Sequence, residues 1–356
     1  RGLIQATVRR KIHISLCKAL LISAIAIDLF TFNSHQIFDG ARMEIETMVS
    51  KNSLEGHFRP MAFLKQDSQK NYRIANFEAG STYFNGGSIT GFQNAFGYTT
   101  MSLGTYSDYL AEFGMNFSRK PKLSESTNLS NNYINLLSAK YVLVGEDVLS
   151  EKKVEFPPDQ YSVVSNNVLT IFYNRKYIPR AFVADKAIIT DDDHKRSTYL
   201  KSTSFQPRDY VLIDSEFKNK IPRDLLADQA ILTNQSLFDV STQKPDPRKS
   251  PTVRIIESKG NSVKIAANLF KPGFLVLTDT DYPGWKVYDR GKEKEILPAY
   301  GLFRAIALDK GQHTLEFRFE PVIVYVGLII TAVSFLFAMA YLLSPYLFSR
   351  RLTRVS

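Results

Sequence analysis

Most of the chain alternates apolar and polar positions over short runs, but two stretches near the ends stay apolar without alternating. Residues 322–344, VIVYVGLIITAVSFLFAMAYLLS, contain no charge. At about 1.5 Å per residue this run is long enough to cross a hydrocarbon core of about 30 Å. A soluble helix of that length rarely stays apolar on every face, so the pattern predicts a membrane span. The stretch 12–33, IHISLCKALLISAIAIDLFTFN, is interrupted by Lys18 and Asp28. Lys18 can snorkel at one end and Asp28 lies near the other, where a carboxylate costs least, so a first span is expected over 14–33.

Between these ends the period is mainly two. Residues 61–67 suggest a short helix and 71–78 a strand, followed by a Gly-rich aromatic stretch from Gly80 to Gly104. Helices are expected over 105–113 and 131–139, and a strand over 141–145. Two strands should meet at an Asn166-Asn167 turn, because Asn tolerates the positive φ of a tight hairpin. Strands follow from Pro179 and from Asp209, with a helix from His194 between them. The run KPDPRKSP, 244–251, reads as a linker. Beyond it TVRIIES, SVKIAANL, GFLVLTDT, WKVYD, LFRAIAL and HTLEFRFE are short strands separated by Gly-containing turns. That spacing suggests an immunoglobulin-like β-sandwich.

The expected class is therefore α+β, mostly β, flanked by two transmembrane helices. Its divisions are a basic flank (1–13), a span (14–33), an α+β domain (34–249), a β-sandwich (250–321), a second span (322–344) and a basic tail (345–356).

Charge sharpens this topology. The chain of 356 residues has a net charge of +10, which would suit nucleic acid if it were spread over one face. Instead Arg1, Arg9, Arg10 and Lys11 precede the first span, and Arg350, Arg351 and Arg354 follow the second. That leaves a net of +3 for the region between the spans. The positive-inside rule then puts both ends in the cytoplasm of a multi-pass plasma-membrane protein, with 34–321 outside. The basicity faces anionic lipid, and nucleic acid is not an expected partner.

Chemistry-bearing motifs are few. Cys17 is the only cysteine and the five histidines are scattered, so neither a disulfide framework nor a metal site is expected. Gly86-x-Ser88-x-x-Gly91 misses the nucleophile-elbow spacing by one residue, and no phosphate-loop spacing exists. The run Asp191-Asp192-Asp193 resembles a metal-binding acidic motif, but Asp is favoured at helix N-termini and the run is read as the cap of the helix from His194.

The segment Asp279-Thr-Asp281-Tyr282-Pro283-Gly284-Trp285 holds the only Trp in the chain. A flat ring between carboxylates beside a turn has the ingredients of a sugar platform, and equally of a Trp packed into a sandwich core. Candidate glycan-binding residues are Asp281, Tyr282, Trp285, Tyr300 and Arg304, with Gly97 and Tyr98 from the Gly-aromatic stretch. No catalytic or metal-binding residue is assigned, and no cofactor is expected.

The C-terminal motifs carry a resemblance. Tyr282–Trp285 with Lys286, the hairpin around Asp289 and Gly291, Phe303-Arg304-Ala305, and 311–321 leading into a span resemble the YfhO-like family of bacterial multi-spanning membrane proteins. The hairpin Asp289-Arg-Gly291-Lys292 departs from that pattern by one added residue. Asp28, Leu29, Phe30 and Asn33, the Tyr72-Arg73 pair, Gly97-Tyr98, residues 136–144, and Asn174 before 179–182 follow the family's order.

The resemblance implies a relation to glycosyltransferases that move sugars from polyprenyl-phosphate donors to envelope polymers. It also implies that this chain is the C-terminal portion of a longer protein, partnered by upstream transmembrane helices and the bilayer. The family's catalytic acids lie in an early outer loop, so none carries over, and whether the chain takes part in an enzyme stays open. The alternative is a non-catalytic envelope glycan-binding or scaffold protein.

Overall fold

A computed structural model of the chain describes residues 71–77, 91–96, 103–116, 122–123, 127–146, 154–166, 169–227 and 250–352, with positions 22, 23, 27, 64, 67 and 149. Apart from those single positions, the first expected span and the expected 61–67 helix lie outside them, as do most of the Gly-aromatic stretch and the 244–249 part of the linker. Strand residues outnumber helical ones, so the mostly β expectation holds.

The β-rich unit, Phe58–Glu320, is built on three main sheets. In the first, β1 (Arg73–Phe77) lies parallel to β2 (Gln93–Asn94) and to β5 (Ala139–Val144), and β6 (Tyr161–Asn166) and β7 (Thr170–Asn174) extend it antiparallel. A two-stranded ribbon of β3 (Met115–Asn116) and β4 (Lys122–Leu123) stands apart. Every residue of β5 is buried, because the sheet is covered on both faces. Ile74, Tyr141, Leu143 and Ile171 share one apolar cluster, while Ala75, Phe77, Val142 and Phe172 point into another.

The second sheet has the order β8-β13-β17-β16-β10-β9. Its strands are β8 (Ala181–Ala184), β9 (Lys186–Thr190), β10 (Tyr210–Asp214), β13 (Gly273–Leu277), β16 (Leu297–Ala299) and β17 (Phe303–Leu308). Strands from both sides of the 244–251 run are thus hydrogen-bonded neighbours: β13 pairs with β8 and β16 with β10. The run 179–190 breaks into two strands at Asp185, since β8 pairs with β13 whereas β9 pairs with β10.

The third sheet is antiparallel, in the order β11-β12-β18-β14-β15. It comprises β11 (Thr252–Lys259), β12 (Ser262–Leu269), β14 (Trp285–Asp289), β15 (Lys292–Lys294) and β18 (Gly311–Phe319). Along β12 every second residue is buried, as expected of a strand with one face on a core and the other toward solvent.

The second sheet is the middle layer. Leu275, Leu277, Ile306 and Leu308 join Val263, Ile265, Val287 and Phe317 of the third sheet in one core. Their alternates Phe274, Val276, Phe303 and Ala305 enter the largest core, with helices α1 (Gly104–Glu112), α2 (Asn132–Leu136) and α3 (Asp193–Lys201). This double burial explains the unbroken apolar run GFLVL in β13.

The apolar helix α4 (Val322–Leu352) is long and apolar enough to cross a membrane over Val322–Tyr341, and its side chains there are exposed. It runs eight residues past the expected end at 344. The Thr331 hydroxyl donates to the Gly327 carbonyl at 2.9 Å, removing a free polar group from its surface.

Candidate functional site

Two polar constellations stand out in the β-rich unit. The first begins where β13 ends. The Thr278 N–H donates to the Arg180 carbonyl at 2.8 Å, which sets the next residue, Asp279, among three guanidinium groups. Arg180 grips it with two bonds, Nε to Oδ1 at 2.8 Å and Nη2 to Oδ2 at 2.7 Å. Arg73 Nη2 adds a contact of 2.5 Å. Arg304 Nη2 lies 3.7 Å from Oδ2 and its Nε donates to the Asp279 carbonyl at 3.4 Å. Arg73 Nη1 also donates to Thr278 Oγ1, and Arg180 Nη1 to Ser258 Oγ. Arg73 belongs to β1, Ser258 to β11 and Arg304 to β17, so one carboxylate ties together all three sheets.

Burial opposes ionisation of Asp279, but the Arg180 hydrogen bond and the charges of Arg73, Arg180 and Arg304 overcome it. Its carboxyl is held well below the usual carboxylate range. Burial lowers the Arg304 guanidinium to about 10 against the pull of Asp279 and Asp281.

Above this centre stands the lone tryptophan. The Arg304 guanidinium carbon sits 4.0 Å from the Trp285 ring centroid, and Phe319 lies 5.4 Å from the ring on a tilted axis. One face of Trp285 is therefore occupied by a cation–π contact. The preceding turn needs Gly284, with φ 107°. It leaves Tyr282 exposed, while the Asp281 N–H donates to the Leu302 carbonyl at 2.7 Å. Burial raises the Asp281 carboxyl, with Arg304 pulling the other way.

The second constellation is a cleft of about 450 Å³. β9, α3 and β10 form a β-α-β unit with parallel strands. The cleft opens beside the carboxyl end of β10 and the start of α3, where α/β units place ligands. Its lining includes Asp108 and Glu112 from α1, Tyr133 from α2, Asp193 and Arg196 from α3, Asp214 from β10 and Tyr300-Gly301 from the β16–β17 turn.

Asp192 caps α3, accepting from the Lys195 N–H at 2.7 Å, as read from the acidic run. Arg196 is held between Asp193 and Asp214, the latter at 2.6 Å, and Thr190 Oγ1 donates to Asp214 at 3.3 Å. In the adjoining turn Tyr300 and Gly301 have φ of 53° and 73°, and the Leu302 N–H closes onto the Ala299 carbonyl. A Cβ on Gly301 would stand 2.5 Å from Arg196 Nε, so only glycine lets the guanidinium lie there. Ser197 Oγ donates to Glu112 at 2.6 Å and Lys201 adds a contact at 3.2 Å. The Ser197 bond is the main cause that lowers the Glu112 carboxyl, against burial.

Of the residues expected from the sequence, Asp281, Tyr282, Trp285 and Arg304 come together around the first centre. Tyr300 lines the cleft instead, buried, with its hydroxyl donating to the Pro207 and Tyr210 carbonyls. Its phenol anchors a turn rather than facing a ligand. Gly97 and Tyr98 lie outside the described residues.

Arg304 was expected, but the other two arginines that hold Asp279, Arg73 and Arg180, and Asp108, Glu112, Arg196 and Asp214 of the cleft, were missed because no local spacing marks them. Arg73 and Arg180 had appeared in recurring motifs without a role. Among the described residues no group of three or more His, Cys, Asp and Glu is arranged to hold a metal ion.

No family model matches the chain, and no curated protein or solved structure matches it either.

Proposed function

We propose that this chain is a membrane-anchored, extracytoplasmic carbohydrate-handling module. It holds or orients an envelope polymer while a sugar is transferred to it from a polyprenyl-phosphate donor, as the YfhO-like resemblance implies. The observation that carries the reading is the cleft, where four carboxylates and Arg196 line one concavity. Carboxylates accept from sugar hydroxyls, and a guanidinium donates to ring and hydroxyl oxygens.

In this reading the strands after residue 250 are an immunoglobulin-like scaffold. Both basic termini lie in the cytoplasm, and upstream helices of the same protein supply the catalytic loop.

The test is binding of neutral gluco-, galacto- and N-acetylglucosamine oligomers to the full chain in lipid nanodiscs. Asp214→Asn should abolish binding of whichever oligomer the wild type takes, with the fold unchanged by circular dichroism. Absence of binding to every oligomer would sink the proposal. In cells, loss of envelope-polymer glycosylation by the same variant supports the transfer role. Unchanged glycosylation alongside lost binding leaves the glycan-binding scaffold alone.

A further inference from the structure

The Asp279 centre is unbalanced. Three guanidinium groups converge on one ionised carboxylate, and Asp281, the next acid, is half-buried and pushed toward its neutral form. Burying charge without an opposite partner is costly, so three guanidinium groups outnumbering the carboxylates beside them in a largely desolvated place call for a further counter-charge.

The hydrogen-bond inventory points the same way. Arg304 is 2% exposed and spends Nε and Nη2 on Asp279, yet its Nη1 is fully buried without a hydrogen-bond partner. A native structure rarely leaves such a donor unused without reason. The centre is not sealed, since Arg73 and Asp279 keep 14% and 12% of their exposure and the exposed Tyr282 lies close in sequence. None of the residues lining the cleft takes part.

From this we infer that the Asp279 centre is a binding site for a phosphate monoester, whose oxygens accept from Arg304 Nη1 and from the neighbouring guanidinium edges. A phosphate monoester brings negative charge together with three acceptor oxygens, so it can meet Arg304 Nη1 and more than one guanidinium edge at once, and guanidinium forks suit phosphate oxygens. Asp279 then acts as the spacer that holds three arginines at one place in the absence of ligand. The inference stands apart from the sugar cleft and survives its failure.

Trp285 is the chain's only tryptophan and lies under Arg304, so its emission reports on the site. The full chain in detergent is titrated with inorganic phosphate at constant ionic strength and neutral pH, with chloride as the control. A saturable emission change is expected from phosphate alone. Arg304→Lys, which keeps the charge but loses the fork, should weaken binding at least tenfold, while exposed Arg318→Lys should leave it unchanged. Calorimetry on Trp285→Phe gives a readout independent of the fluorophore.

Two arms separate the sources. A response to soluble glycerol 3-phosphate supports a free or sugar-borne phosphate, and a response in phosphatidate nanodiscs but not phosphatidylcholine ones supports a lipid headgroup. The inference is overturned by no saturable response in emission and calorimetry up to about 10 mM phosphate, a limit that still detects millimolar affinity. Equal binding by wild type and Arg304→Lys overturns it too.

Discussion

The two charged constellations use the same chemistry with opposite balances. In the cleft one guanidinium, Arg196, stands among Asp108, Glu112, Asp193 and Asp214. Asp193 is largely exposed and Asp214 about a third exposed. At the sheet junction one carboxylate, Asp279, stands among three arginines, all mostly buried. Water screens the first, so its ion pairs contribute little to stability and its groups are free to be traded for a ligand. The second is desolvated, so its pairs are needed as they stand and any imbalance is felt. Burial decides how firmly each cluster keeps its own partners: the exposed one can exchange them for a ligand, while the buried one keeps them and can only add a counter-charge.

Removing the hub should have the largest effect. Asp279→Ala leaves three arginines facing each other and is expected to cost about 3–5 kcal/mol in denaturant unfolding of the full chain. A cost no greater than that of Asp214→Ala would erase the contrast.

Next is Gly301→Ala, which places a Cβ against Arg196 at φ 73°. It should cost roughly 1–3 kcal/mol and weaken oligosaccharide binding by displacing the guanidinium. Gly291→Ala, also at positive φ but with open space around it, should cost about 1 kcal/mol and leave binding intact.

Acid gives a third comparison. The folded-state carboxyl of Asp279 is depressed, so its contribution is fully present above the unfolded value of about 3.9 and is lost as pH falls toward the folded one. Stability should therefore decline on acidification below about pH 4, and Asp279→Asn should lack that part of the slope; an identical slope in both refutes the assignment.

The smallest effect belongs to Asp214→Asn. It should change stability by less than about 1 kcal/mol, read by thermal unfolding, while removing saccharide binding.

Local pattern carried far in this chain. Six of the eight strands of 250–319 follow from alternation or a short apolar run, α3 from its acidic cap, and α4 from its uninterrupted apolar run. Tyr282 to Trp285 stood out because a lone Trp beside Pro-Gly is visible in one window of sequence. The short β15 and β16 were not anticipated, since KEK and LPA are too brief to show a period. Nor did alternation reveal that β8, β9 and β10 join β13, β16 and β17 in one sheet. Partners far apart along the chain are chosen by which apolar faces fit, and a strand's own residues do not say which neighbour it will have.

The Trp285 platform changed most. Its flat ring was legible and Arg304 was a candidate beside it, but no local period shows that this guanidinium, nineteen positions further on in β17, covers one face of the ring. Helix, strand and span depend on periodicity within about twenty residues, and so they could be read directly from the order of amino acids. The Asp279 junction and the Asp214–Arg196 cleft depend on side chains separated by tens to hundreds of positions. They exist because three sheets and three helices pack to bury their apolar faces, and that packing brings distant charges within hydrogen-bonding distance.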